Sequence, residues 1–362
     1  MHLSPWPSLN RLGSFMKSVY SPGLHFGFAL AWCLALEGSL ESTLESTFRV
    51  RRPNGALSSW SPDRLSGLEV LSLFLVLFFL RAVDEWKDFE YDKKQNPHRP
   101  LVTGKSTFTD LYLYLFGAGS LVLMLNLPWL TGRSWIPFLI LAADLLYGLF
   151  LIIVEKKSGL LRENILLNLL ITYPVNVGLS IYVYWMVHEK IGPASSWSGL
   201  PILGAFTFAF LNYEFARKTC WPEHAPAGTR LYSSALGPWG AAAASLTFAF
   251  GAVGIMTYEF RVMRFLPWIS LIPPVLGSWH FSQDRCSQAR TSAALADNLL
   301  ASCSRLFLIL FYTTLILCSL LPLSSYADET IMTLNSIKGP PIKPQKYESD
   351  FPIHEYFAFQ SL

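Results

Sequence analysis

The chain has 362 residues, 52% of them hydrophobic and 15% charged, with a formal charge of +3 and a mean hydropathy of +0.35. Soluble domains average about 25% charged residues, so the deficit excludes an ordinary soluble enzyme and points to lipid. So small a charge, with no basic tract interleaved with aromatics, excludes a nucleic-acid-binding protein.

A membrane span needs about 20 mostly apolar residues. Nine segments qualify, near 20–40, 66–84, 108–128, 134–154, 165–187, 198–216, 238–258, 264–281 and 304–323. They predict an all-α integral membrane protein with one transmembrane domain over 1–323, since in lipid an unclosed chain satisfies its backbone groups only as helix. The N-terminus, with Pro5, Pro7, Arg11 and Lys17, lacks the compact apolar core of a cleaved signal peptide. The first span is therefore expected to act as the targeting signal. Residues 41–64 read as a flexible loop, and Pro273 and Pro274 are expected to kink or break the eighth span. Residues 324–362, polar and rich in Pro, Lys and Glu, read as a loosely ordered tail. Cys33, Cys220, Cys286, Cys303 and Cys318 form no CxxC pair, which argues against a zinc site.

Counting Lys and Arg on alternate sides of the nine spans gives 17 on the side of Arg11, Lys17 and the 81–105 stretch and 8 on the other, apart from three lysines in the tail. The richer side is expected to be cytoplasmic, with the N-terminus inside and the tail outside. A site for an anionic substrate would gather the same charges, and the two causes are compatible.

The second span ends in Asp84, Asp88 and Asp92, spaced i, i+4, i+8, with Glu85 beside the first. Each step of four drifts by about 40°, so the three acids share one helix face. Like charges so placed repel by a few tenths of a kcal/mol per pair. A hard divalent cation offsets that repulsion, and Mg²⁺ takes one or two carboxylates together with phosphate oxygens. A solvated helix end neutralised by Lys87, Lys93 and Lys94 is the equally simple alternative.

Asn96-Pro97-His98-Arg99-Pro100-Leu101-Val102-Thr103-Gly104 follows directly. With it the sequence resembles the UbiA superfamily of intramembrane prenyltransferases, which carry NDxxDxxxD at the end of the second helix and then a loop with RPL and a glycine. Asp84 stands where that family usually has Asn, and Glu85 where it has Asp. The resemblance spans roughly 20–323 and implies a nine-helix bundle, Mg²⁺ as cofactor, a prenyl diphosphate as substrate and the bilayer as surroundings. It implies catalytic and metal-binding roles for Asp84, Asp88 and Asp92, and an oxygen ligand from Glu85.

The family's second motif, DxxxD after the sixth helix, is degenerate here. Glu214 stands for one acid and Lys218 falls where the second would be, beside Arg217, with Gly228 and Arg230 following. Glu214 could hold a metal while Arg217 and Lys218 hold diphosphate oxygens, or Glu214 and Lys218 could form an ordinary i,i+4 pair. Arg99, Lys156, Lys157 and Arg230 are the other expected diphosphate contacts, with Arg162 beside them. Asp144, mid-span in the fourth segment, is expected to line the cavity, because an intramembrane acid is costly unless it faces water or a partner. His280 and Asn176 are weaker candidates of that kind.

Cations around a diphosphate let the allylic C–O bond ionise. The degenerate second motif resembles the UbiA-type terpene cyclases, so the first expectation is cyclisation of farnesyl diphosphate to a sesquiterpene in the endoplasmic reticulum membrane. Transfer of the prenyl group to an aromatic acceptor is the alternative. Nothing in the sequence identifies a protein partner.

Overall fold

A computed structural model describes residues 9–48, 60–192, 199–225, 228–259, 265–284 and 293–320. Apart from a 3₁₀ turn at Pro222–His224, every regular element among them is an α-helix. In chain order they are α1 (Leu9–Val19), α2 (Pro22–Phe48), α3 (Arg64–Lys87), α4 (Phe89–Gln95), α5 (Phe108–Leu125), α6 (Pro128–Thr131), α7 (Ile136–Lys157), α8 (Gly159–Glu163), α9 (Ile165–Thr172), α10 (Pro174–Ile191), α11 (Leu200–Arg217), α12 (Tyr232–Glu259), α13 (Leu266–Ile269), α14 (Ile272–Asp284) and α15 (Ala293–Leu320).

Local chemistry sets the starts of these helices. Asp63 caps α3 through the amides of Leu65 and Ser66, and Ser66 returns the bond to the Asp63 amide. Thr107 and Asp110 do the same for α5. Such reciprocal caps satisfy amides that have no partner inside the helix. The fifth expected span divides into α9 and α10 at Tyr173, because Pro174 has no N–H to continue the ladder but suits a helix's first turn.

By length and composition, seven helical stretches among the described residues can cross a membrane: Pro22–Leu44, Arg64–Lys87, Phe108–Leu125, Ile136–Lys157, Ile165–Ile191, Tyr232–Glu259 and Leu299–Leu320. The expected sixth segment is α11, 18 residues long, which packs against α12 and α15. The eighth is α13 followed by the 13-residue α14, packed on α15. Two expectations need correction. Residues 41–48 continue α2 instead of forming a loop, and 49–59 lie outside the described residues. Pro273 and Pro274 fall in the first turn of α14, where a missing N–H costs nothing, so they begin a helix and do not kink one. The sharp bend lies in α12, at Gly237, whose φ of +74° precedes Pro238. The tail expected at 324–362 lies outside the described residues.

Helices α2, α3, α5, α7, α10, α11 and α15 enclose one core, with Leu36, Leu73, Leu111, Tyr182, Phe307 and Phe311 fully buried. The outward faces carry large exposed apolar side chains such as Phe116, Ile153 and Leu170. In a chain with spans of this length, that is the surface lipid covers. Trp129, Trp135, Tyr258 and Phe265 are exposed at helix ends, where amphipathic rings favour the membrane–water interface.

Candidate active site

Helix α3 ends at Lys87 and α4 starts at Phe89, yet the i→i−4 bonding continues through Asp88 at the junction. The Asp88 amide donates to the Asp84 carbonyl at 2.9 Å, Asp92 to Asp88 at 2.8 Å and Asn96 to Asp92 at 2.8 Å. That continuity keeps the three acids on one face. All three line a cavity of about 460 Å³ together with Arg99 and, from the α11 end and the loop after it, Glu214, Arg217, Lys218 and Arg230. Cavities of about 300–1,000 Å³ are the usual size of small-molecule sites. The wall turns apolar away from the acids, at Leu77, Leu80, Val175 and Phe210.

The three acids differ in their surroundings. The Asp84 side chain is 45% exposed and 3.4 Å from the Lys87 ammonium. Asp92 is buried, accepts a 2.7 Å bond from Asn96 Nδ2 and has Arg99 Nε at 3.9 Å. Burial, and then the negative charges of Asp84, Glu155 and Asp92, push the Asp88 carboxyl up to about 6, against the pull of Lys87. A group raised in this way is one that a bound cation would return to its ordinary range.

Glu85 is not on the cavity wall. One residue after Asp84 on a helix is a turn of about 100°. Glu85 therefore points away, 2% exposed, and its Oε1 accepts from Arg81 at 2.7 Å and Arg99 at 2.6 Å. It holds two arginines in place where a metal ligand was expected. The Arg99 loop is closed by Gly104, whose φ of +74° only glycine adopts without strain.

Glu214 does reach the cavity, but both its oxygens are engaged. Arg217 Nε lies 2.6 Å from Oε2 and Lys218 Nζ 2.8 Å from Oε1, and the Tyr232 hydroxyl donates to Oε1 at 3.2 Å. The local pair weighed from the sequence is the one observed. Lys156 and Lys157 are exposed at the end of α7 and do not line this cavity, because their helix turns them outward; nothing is described of the Arg162 side chain. Asp144 is also absent from the wall. It is buried between α7 and α10 against Gly178, where an added Cβ would come within 2.4 Å of its Oδ1. His280 is exposed on α14, away from the cavity, whereas Asn176 lines it.

Sequence reasoning missed Glu155, and it had Lys87 only as a neutralising neighbour of the acids. Glu155 is buried on the cavity wall, 3.3 Å from Lys87, and accepts a hydrogen bond from Asn168 Nδ2. Lys87 thus ties the acidic face of α3 to α7. The only sequence signal for Glu155 was an acid closing an apolar span just before two lysines. Asn168, Thr172 and Asn176, again four apart, also face the cavity.

No three His, Cys, Asp or Glu side chains among the described residues converge as a closed metal site. Asp84 and Asp88 nonetheless offer two carboxylates on a shared face of the cavity, which is what Mg²⁺ requires when phosphate oxygens complete its shell. The residues therefore fit a phosphate-bound divalent cation.

By sequence, no protein-family model and no curated protein matches this chain. By structure it is similar to a solved structure described as digeranylgeranylglyceryl phosphate synthase in membranes, over 85% of this chain and 99% of that one, at 15% identity and a TM-score of 0.49.

Proposed function

We propose that this protein is a UbiA-type intramembrane enzyme that holds a prenyl diphosphate in the cavity between α3 and α11 and transfers the prenyl group to an acceptor. One observation carries the reading. The acids of α3 and α4, the cations Arg99, Arg217, Lys218 and Arg230, and an apolar wall all border a single cavity. An anionic head with a hydrocarbon tail is the ligand that uses all three.

In this reading Asp84 and Asp88 are the residues that would hold Mg²⁺, and Asp92 orients Asn96 and Arg99. Bound there, Mg²⁺ would supply positive charge to the leaving group as the allylic C–O bond ionises. Arg99 and Arg230 meet the oxygens on which negative charge grows, at positions set before the reaction. The tail lies along Leu77, Leu80, Val175 and Phe210.

Transfer is favoured over the cyclisation first expected because the cavity wall carries polar side chains besides its acids and cations. Asn168, which is bonded to Glu155 beside the acidic face, Thr172 further along α9 and Asn176 on α10 all line the cavity, and such groups suit a polar acceptor and would quench a migrating carbocation.

The test is to incubate membranes bearing the protein with farnesyl or geranylgeranyl diphosphate and Mg²⁺, with and without a panel of aromatic and lipid-alcohol acceptors, and to measure diphosphate and organic products. Acceptor-dependent diphosphate release supports transfer. A cyclic hydrocarbon formed without acceptor replaces transfer by cyclisation, and no release under any condition ends the prenyl diphosphate reading.

A further inference from the structure

Lys87, Asp88, Glu155 and Arg230 also line a second cavity, of about 520 Å³, so they form a wall between the two. Its remaining sides are of a different character. Trp86 and Phe89 both meet Phe108 edge-on, at 6.0 and 5.1 Å between ring centres. Lys94, Lys156 and Arg230 border this aromatic panel, and none of the three has a carboxylate within 4 Å among the described residues. Of the three acids on the same wall, Glu155 is paired with Lys87 and Glu90 with Lys93, which leaves Asp88 alone against Lys94, Lys156 and Arg230. The cavity therefore carries uncompensated positive charge over an apolar floor.

Its position adds a second constraint. Tyr112, packed 4.5 Å edge-on to Trp86, is exposed on α5, and so is Phe116 one turn further on; Phe150 and Ile153 are exposed on the neighbouring α7. These are faces that lipid covers, and the cavity adjoins them at the end of the bundle where the basic residues collect. A free inorganic anion would leave the aromatic panel unused. A neutral lipid would leave Lys94 and Lys156 unmatched. An anionic headgroup on an acyl chain satisfies both, since basic side chains at the membrane surface attract acidic lipids and aromatic rings settle at headgroup level.

We infer that the second cavity is a binding site for one anionic phospholipid, its phosphate held by Lys94 and Lys156, which border this cavity and not the first, and the upper part of its acyl chain lying on Trp86, Phe89 and Phe108. The inference does not depend on the reaction proposed for the first cavity.

The test uses the full chain, purified in neutral detergent and offered equal amounts of phosphatidylglycerol and phosphatidylcholine with identical acyl chains. Retained lipid is counted by native mass spectrometry. The expected result is one retained lipid per chain and a preference of about tenfold or more for the anionic one. The preference should disappear in the Lys94→Gln/Lys156→Gln double variant and persist in Lys94→Arg/Lys156→Arg. Equal retention of the two lipids by the unaltered chain overturns the inference, and so does an undiminished preference in the Gln double variant. Displacement of the lipid by millimolar inorganic phosphate would also overturn it, by marking a site for a free anion. Because no turnover is measured, failure here and failure of the prenyl diphosphate reading are separate results.

Discussion

At the end of α3, three carboxylates share a face and the nearest cation, Lys87, is divided between Asp84 and Glu155 at 3.4 and 3.3 Å. At the end of α11 a single carboxylate is met by two cations of its own last turn, at 2.6 and 2.8 Å. Both ends border the same cavity. The first has negative charge to spare and can take a cation together with a substrate. The second is internally neutralised with one positive charge left over, and can meet only an anion. Under the proposed reading a diphosphate uses one end of each kind, and the degenerate second motif would divide the labour with the first. Charge surplus decides this, because each pair's own attraction is partly screened where Arg217 and Asp84 are nearly half exposed.

The sharpest way to break the comparison is Asp88→Asn. It keeps the shape and removes the charge at the centre of the acidic face, so turnover of prenyl diphosphate should fall at least ~100-fold while the melting temperature is maintained. Chelation should abolish turnover in the unaltered chain, with recovery on adding Mg²⁺. Retained activity in Asp88→Asn would mean that the acidic face is a solvated helix end after all. Glu214→Gln should have a smaller effect. It leaves the metal-binding face intact but releases Arg217 and Lys218 from their anchor, and loss of such a positioning contact costs about 10–100-fold. The expected signature is a higher KM for the diphosphate with an unchanged Mg²⁺ requirement. A shifted Mg²⁺ requirement would show instead that Glu214 is a metal ligand.

How far the sequence could be read follows from the range of the interactions involved. The acidic face was legible because its geometry is local: a four-residue spacing on one helix fixes it, and the ladder through Asp84, Asp88, Asp92 and Asn96 keeps it. Glu85 misled because adjacency in sequence is not adjacency in space; a single residue's rotation carries it to Arg81 and Arg99. Glu155 was invisible because its role depends on α3 and α9 being packed beside α7, and no pattern within 150–160 encodes those partners. Lys156 and Lys157 were drawn in by their charge, but the turn of the helix that brings Glu155 to the cavity takes both of them off its wall. Most spans were legible from apolar length. The short α14 was not distinguishable from a kinked span, since prolines at a helix start and prolines in a helix interior look alike until the start is known.

Asp144 tests the comparison from outside the cavity, and its substitutions should have the smallest effects on turnover. It is a buried acid with one oxygen, Oδ2, that has no hydrogen-bond partner among the described residues, and it sits where α7 and α10 approach at Gly178. If contact and not chemistry fixes that pair, Gly178→Ala should destabilise the protein by about 1–3 kcal/mol, because the new methyl meets the carboxylate at 2.4 Å; a lowered melting temperature in detergent would report it. Asp144→Asn keeps the volume and leaves the acidic face, Arg99 and the α11 end untouched. Its turnover should stay within about twofold of the unaltered chain, the usual scale for a change away from any site. Asp144→Leu removes an unpartnered polar atom and should be neutral or stabilising if Leu fits the space, since a buried polar group without a partner opposes folding. Combining it with Gly178→Ala should be worse than either alone, because both add bulk at one contact. A large loss of turnover in Asp144→Asn, with stability unchanged, would mean that charge inside the span reaches the reaction and that the contrast between the ends of α3 and α11 is not the whole electrostatic design.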